Sequence, residues 1–198
     1  MLDEIRIILS RSSMIEPVQN IISLVSLSKY THIGFWFKTT SVIKIAGKEY
    51  SPGEWYADVS RKGSRVIEWH SRLHTGWIAY AVKNVSKETQ SLNLLQLIEQ
   101  TIGCDYSYKT YLYGIPNRDP TPHGYVCSTY VMEWMKRIGI TDGVVLLSPS
   151  TLVHTMKNKG VIAPTSSMTN RDLGVSTSVT IILIAILIIC VVILIKKR

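Results

Sequence analysis

The stretch VSTSVTIILIAILIICVVILI, residues 175–195, carries no charge and is apolar for most of its length. A helix needs about 20 such residues to cross the hydrocarbon core of a bilayer. A helix on the surface of a water-soluble domain shows a polar face opposite its apolar one, and this run has none. It reads as a single membrane-spanning helix, with the bilayer as its partner. Lys196, Lys197 and Arg198 follow it as a basic tail (196–198). The run divides the chain. Residues 163–174, APTSSMTNRDLG, read as a polar linker, which leaves residues 1–162 for one domain of ordinary size.

The opening MLDEIRIILSRSSMIEPV begins with acidic residues and lacks the long apolar run of a signal peptide. The expectation is a single-pass, tail-anchored protein whose domain faces the cytosol. The positive-inside rule draws the final Lys-Lys-Arg the other way, but three residues are few enough to be translocated. Asn84-Val85-Ser86 matches a glycosylation acceptor, which matters only if the domain lies outside. The formal charge is +8, with 22 basic and 14 acidic residues, and three of the positives sit in the tail. That mild excess suits anionic headgroups. No basic stripe with interleaved aromatics accompanies it, so nucleic acid is not an expected partner. Of the three cysteines, Cys190 lies in the apolar run. Cys104 and Cys127 alone make no disulfide framework, and in a reducing compartment a thiol stays free for chemistry.

Strand signals occupy 4–10, 30–38, 41–45, 54–60, 64–70 and 76–83, separated by turns at Gly47, Pro52-Gly53, Lys62-Gly63 and Thr75-Gly76. They suggest a small antiparallel meander or barrel. Residues 15–27 are compatible with a helix. A second helix is expected after Ser91, where Leu95, Ile98 and Ile102 recur at helical spacing before Gly103. A third starts at Cys127, with Val131, Trp134, Met135 and Ile138 on one face. A fourth spans 147–160, with Ser148 as cap and Pro149 in its first turn. The fold class is α+β.

Cys127 stands where the loop ending HGY gives way to that helical pattern. Leading amides and the helix dipole favour an anionic sulfur there, and the same amides can hold an oxyanion. By itself such a cysteine fits packing as well as chemistry, because a nucleophilic thiol needs a base within reach. His32 sits inside YTHIGFWF, a segment otherwise suited to burial, so its ring must find a partner. A backbone carbonyl would serve, and an acid would also orient the ring. Asp58 in EWYADVS and Glu68 in RVIEWH are the candidates.

In order, YTHIGFWF, WYADVSRKGSRVIEWHSRL, IGCDYSYKTYL, YVCSTYVMEWMKRIGI and LSPSTLV resemble the circularly permuted NlpC-type papain-like proteins. That family has bacterial and poxvirus members, with lecithin:retinol acyltransferase a distant relative. The resemblance covers about residues 4–160. It implies a permuted papain-like fold with a sheet or small barrel packed on helices. It also implies a thiol hydrolase or acyltransferase in which Cys127 is the nucleophile, His32 the base and Asp58 the third residue. Glu68, Tyr106 and Ser128 are supporting candidates, and no cofactor is implied. The family commonly has Glu as its third residue, and the Lys62-Gly63 turn selects Asp58 over Glu68. Asp105 precedes Tyr106 here, where the family usually has Tyr before Asp. Ser128 as the nucleophile lacks a G-x-S-x-G elbow. The substrate would be a lipid, an acylated protein or a peptide.

Two rival readings remain. His70-x3-His74 and His123-x3-Cys127 have spacings that could pair metal ligands on helical turns. His70 ends a strand signal and His74 lies in a turn, however, so no metal is expected. The second rival is a membrane-tethered binding or scaffold protein that keeps the papain-like shell without turnover.

Overall fold

The computed structural model describes residues 1–10, 30–60, 62–69, 77–107 and 124–165. The expected helix at 15–27, the histidines His70, His74 and His123, and the run 175–195 lie outside the described residues. Among the described residues no helix is long and apolar enough to cross a membrane.

The domain is α+β. Six strands form one antiparallel sheet: β1 (Glu4–Ser10), β2 (His32–Thr39), β5 (Gly53–Ser60), β6 (Gly63–Glu68), β7 (Trp77–Val82) and β8 (Ile162–Pro164). Their order is β6-β5-β2-β1-β7-β8. Among the described residues β6 and β8 are its edges, so the strands form an open sheet where a closed barrel was one expectation. It is not a simple meander either, because β1 sits between β2 and β7. A separate hairpin pairs β3 (Ile43–Ile45) with β4 (Lys48–Tyr50). Ala46 and Gly47 both take positive φ, 49° and 80°, as a tight primed hairpin turn demands.

Strand alternation sorts the sheet into two faces. Ile5, Ile7 and Leu9 of β1 and Ile33, Phe35 and Phe37 of β2 enter the main core. Ile8, Trp36, Tyr56, Trp77 and Ala79 form a smaller aromatic cluster on the other face. Among the described residues three helices accompany the sheet: α1 (Lys87–Thr101), α2 (Cys127–Arg137) and α3 (Pro149–Asn158). α2 packs on β2, where Trp134 and Tyr130 set ring edges against Phe35 at centroid distances of 5.0 and 5.7 Å.

Three boundaries differ from those expected. α1 begins at Lys87, before Ser91, because Ser86 caps it by accepting from Thr89 N–H at 3.1 Å. Its first turn is polar, so apolar periodicity does not register it. β4 continues beyond the expected strand 41–45, since Gly47 turns the chain back on itself. The first residues of the expected linker belong to the domain: Ala163 and Pro164 pair with β7, and Thr165 N–H donates to Ala79 C=O at 3.0 Å.

Candidate active site

β2 and β5 are paired from Phe35–Ala57 to Thr39–Gly53, and that pairing does not extend to His32. At this end side chains make the connection. His32 Nε2–H donates to Asp58 Oδ2 at 2.9 Å. Arg65 takes the same carboxylate with a fork: Nε donates to Oδ1 at 2.8 Å and Nη2 to Oδ2 at 3.3 Å. Register explains the fork, since Asp58 and Arg65 are direct partners on β5 and β6. Asp58 is 1% exposed, so both partners compensate a charge that water does not reach.

Cys127 stands close enough to His32 to raise the pKa of its ring. With Nε2 occupied by Asp58, Nδ1 is the ring nitrogen left for a second partner. Burial alone would lower the pKa of this ring. Hydrogen bonds to Asp58 and Cys127, with their negative charge, outweigh burial and push it up to about 10. Burial would raise Asp58, but the hydrogen bonds and positive charges of His32 and Arg65 bring it down to about 2.

A stability profile follows from these shifts. The contribution of the raised His32 is complete below pH 6.5 and is lost as the pH climbs through about 10. That of the lowered Asp58 is complete above pH 3.8 and is lost as the pH falls through about 2. The margin of the native chain over Asp58→Asn is therefore expected to be widest between those limits, at on the order of 3 kcal/mol. It should narrow on the alkaline side. Denaturant midpoints of both proteins across the pH range measure it, and a margin that widens with rising pH contradicts the pairing.

Cys127 is the first residue of α2, and the residue before it is Val126. A valine has no side-chain oxygen to cap the helix. The two other helices are each capped by a serine, Ser86 accepting from Thr89 N–H and Ser148 from Thr151 N–H. At α2 the capping contacts run through Thr129 Oγ1, which accepts from Val126 N–H at 3.0 Å and donates to Val126 C=O at 3.1 Å. The first helical bond is Tyr130 N–H to Val126 C=O at 3.0 Å. The amides of Cys127, Ser128 and Thr129 thus precede the helical ladder with no capping oxygen, the arrangement suited to an anion.

The structure joins His32 to Asp58, sets Cys127 where it raises the pKa of His32, and separates the supporting candidates. Glu68 is not the carboxylate on His32. It lies exposed at the far end of β6, opposite Trp55, because the hairpin turn puts Asp58 and not Glu68 near the strand end that His32 occupies. Tyr106 forms an isolated parallel bridge with Tyr125, on the approach to α2. Ser128 is fully buried, and among the described residues its Oγ has no hydrogen-bond partner. It has no base, which disfavours it as the nucleophile. Among the described residues no cluster of three His, Cys, Asp or Glu side chains could hold a metal ion.

Two further residues were missed in the sequence. Arg65 was legible in principle, since a hairpin turning at Lys62-Gly63 sets it opposite Asp58. Tyr56 was not. Its hydroxyl lies over Gly34, where an added Cβ would come within 2.6 Å of Oη and 2.8 Å of Ala57 C=O. Only glycine at 34 leaves the phenol that position. Burial, then the charges of Asp58 and Cys127, push the phenol well above its ordinary range, with Arg65 pulling the other way. It is a neutral hydroxyl beside the site.

The fold is α+β, and at the candidate site a buried acid holds an imidazole close to a helix-leading thiol. No protein-family model matches the chain, and no curated protein matches it.

Proposed function

We propose that this chain is a thiol hydrolase or acyltransferase with a permuted papain-like fold of the NlpC type, acting through Cys127, His32 and Asp58. The observation that carries the reading is one imidazole placed between a buried carboxylate and a thiol at the start of an uncapped helix. Sγ, its proton passed to His32 Nδ1, attacks the carbonyl carbon of an ester or amide. The carbonyl π electrons move to oxygen, and the leading amides of α2 stabilise that oxyanion. As the oxyanion collapses, the bond to the leaving group breaks and His32 returns its proton to that group. A thioester on Cys127 remains. Water or another acceptor then attacks it, with His32 taking the acceptor's proton. The second oxyanion collapses as the C–S bond breaks, releasing the acyl product and returning Sγ as the thiolate. Asp58 holds the ring orientation throughout.

The substrate class follows from the apolar run at 175–195. As a membrane anchor it keeps the domain near a bilayer, with a short linker limiting its reach. That favours a lipid ester or amide, or an acylated membrane protein, over a soluble peptide. A second reading, a tethered binding protein with a papain-like shell, draws on the burial of Cys127, which is 1% exposed.

An acyl-enzyme decides between them. After incubation with membrane extract, the full chain is expected to gain an acyl mass on the Cys127 peptide that hydroxylamine removes and that Cys127→Ser lacks. An adduct confined to the exposed Cys104, or none, favours the binding protein.

A further inference from the structure

Arg65 is the one charged side chain among the described residues that reaches Asp58 from the edge strand of the sheet. Its fork covers both carboxylate oxygens. Oδ2 accepts from both Arg65 and His32, so the guanidinium and the imidazole meet on one atom. Asp58 is almost wholly enclosed, whereas the Arg65 side chain is 33% exposed. The groups facing Asp58 are His32 from β2 and Arg65 from β6, with the phenols of Tyr56 on its own strand and Tyr130 of α2 near enough to sense its charge. Of these only His32 and Arg65 bring positive charge, and the charge on His32 is the one the reaction must move. A carboxylate that depended on His32 alone would lose its counterion each time the ring gave up its proton, in a place where an unpaired charge is costly.

Resting on the triad reading above, we propose that Arg65 is a positioning residue. It clamps Asp58, ionised and with Oδ2 facing His32 Nε2, through both protonation states of the imidazole. Planar bidentate geometry makes arginine the suitable cation, since lysine supplies the charge without the fork. Arg65 acts through Asp58.

The experiment follows peptide-resolved iodoacetamide alkylation of Cys127 in the full chain against pH, with Cys104 as internal control. Arg65→Gln should slow Cys127 by about tenfold at neutral pH, as loss of a charge-assisted hydrogen bond does. It should also move the acid limb of the rate upward by about one to three pH units, because a carboxylate that loses a neighbouring cation holds its proton longer. Methylguanidinium added to Arg65→Ala should restore most of the rate through the solvent-facing slot. A uniform slowing without movement of the acid limb would reduce Arg65 to a structural role and overturns the proposal. So does a native rate in Arg65→Gln while His32→Ala is slow, an outcome that leaves the triad standing. A native rate in His32→Ala brings down the triad reading itself. If Arg65→Gln does not fold, Arg65→Lys decides: a slower rate with the acid limb in place supports the clamp, and a native rate overturns it.

Discussion

Replacing His32 with alanine is expected to slow alkylation of Cys127 by about 10²-fold or more, the scale on which a positioned base acts. The rate at Cys104 should stay unchanged. The contrast is the point of the measurement. Cys104 is exposed and Cys127 is buried, so accessibility alone makes Cys104 the faster thiol in both proteins. Only activation by the imidazole gives Cys127 a rate that depends on residue 32. The ring is joined to Asp58 at 2.9 Å and engages Cys127 as well, so its removal takes away both the proton acceptor and the link to the acid. Asp58 keeps Arg65 in the variant, which limits the cost to folding. Circular dichroism and a denaturation curve establish that the variant is folded before the rates are compared. Equal slow labelling of Cys127 in both folded proteins would leave an ordinary buried cysteine.

Trp134→Ala is expected to cost about 3–5 kcal/mol of stability, the range for truncating a fully buried aromatic. Three elements meet on this side chain. It lies on α2, its ring packs edge-on against Phe35 of β2 at 5.0 Å, and its indole N–H donates to Gln90 C=O of α1 at 3.2 Å. Alanine opens a cavity between helix and sheet and removes a second donor from a helical carbonyl. For a domain of this size the melting temperature should fall by roughly 10 °C. Trp134→Phe, which keeps most of the volume and loses the N–H, should fall between. A calorimetric scan of the three proteins measures the series, and a loss under about 1 kcal/mol for alanine would show that the site collapses around the gap. Because α2 also carries Cys127, a folded Trp134→Ala protein should lose part of the His32-dependent thiol reactivity.

The sequence by itself determined the elements whose signal is local. Richness in β-branched and aromatic side chains marked β2, flanking turn signals marked β5, Ser148-Pro149 marked the start of α3, and the burial-prone surroundings of His32 and Asp58 singled out both. Cys127 was legible for the same reason, as a thiol where a loop turns helical. Tertiary structure alone decided which groups meet. The strand order that sets β1 between β2 and β7, the addition of Ile162–Pro164 to the sheet edge, and the phenol of Tyr56 seated over Gly34 depend on contacts between residues far apart in the chain. The choice of Asp58 over Glu68 was expected from a turn and rests in the structure on a hydrogen bond across strands that are not paired there. Propensity and periodicity act over a turn or a strand, whereas the energy of a buried charge depends on whatever the fold brings within about 3 Å of it.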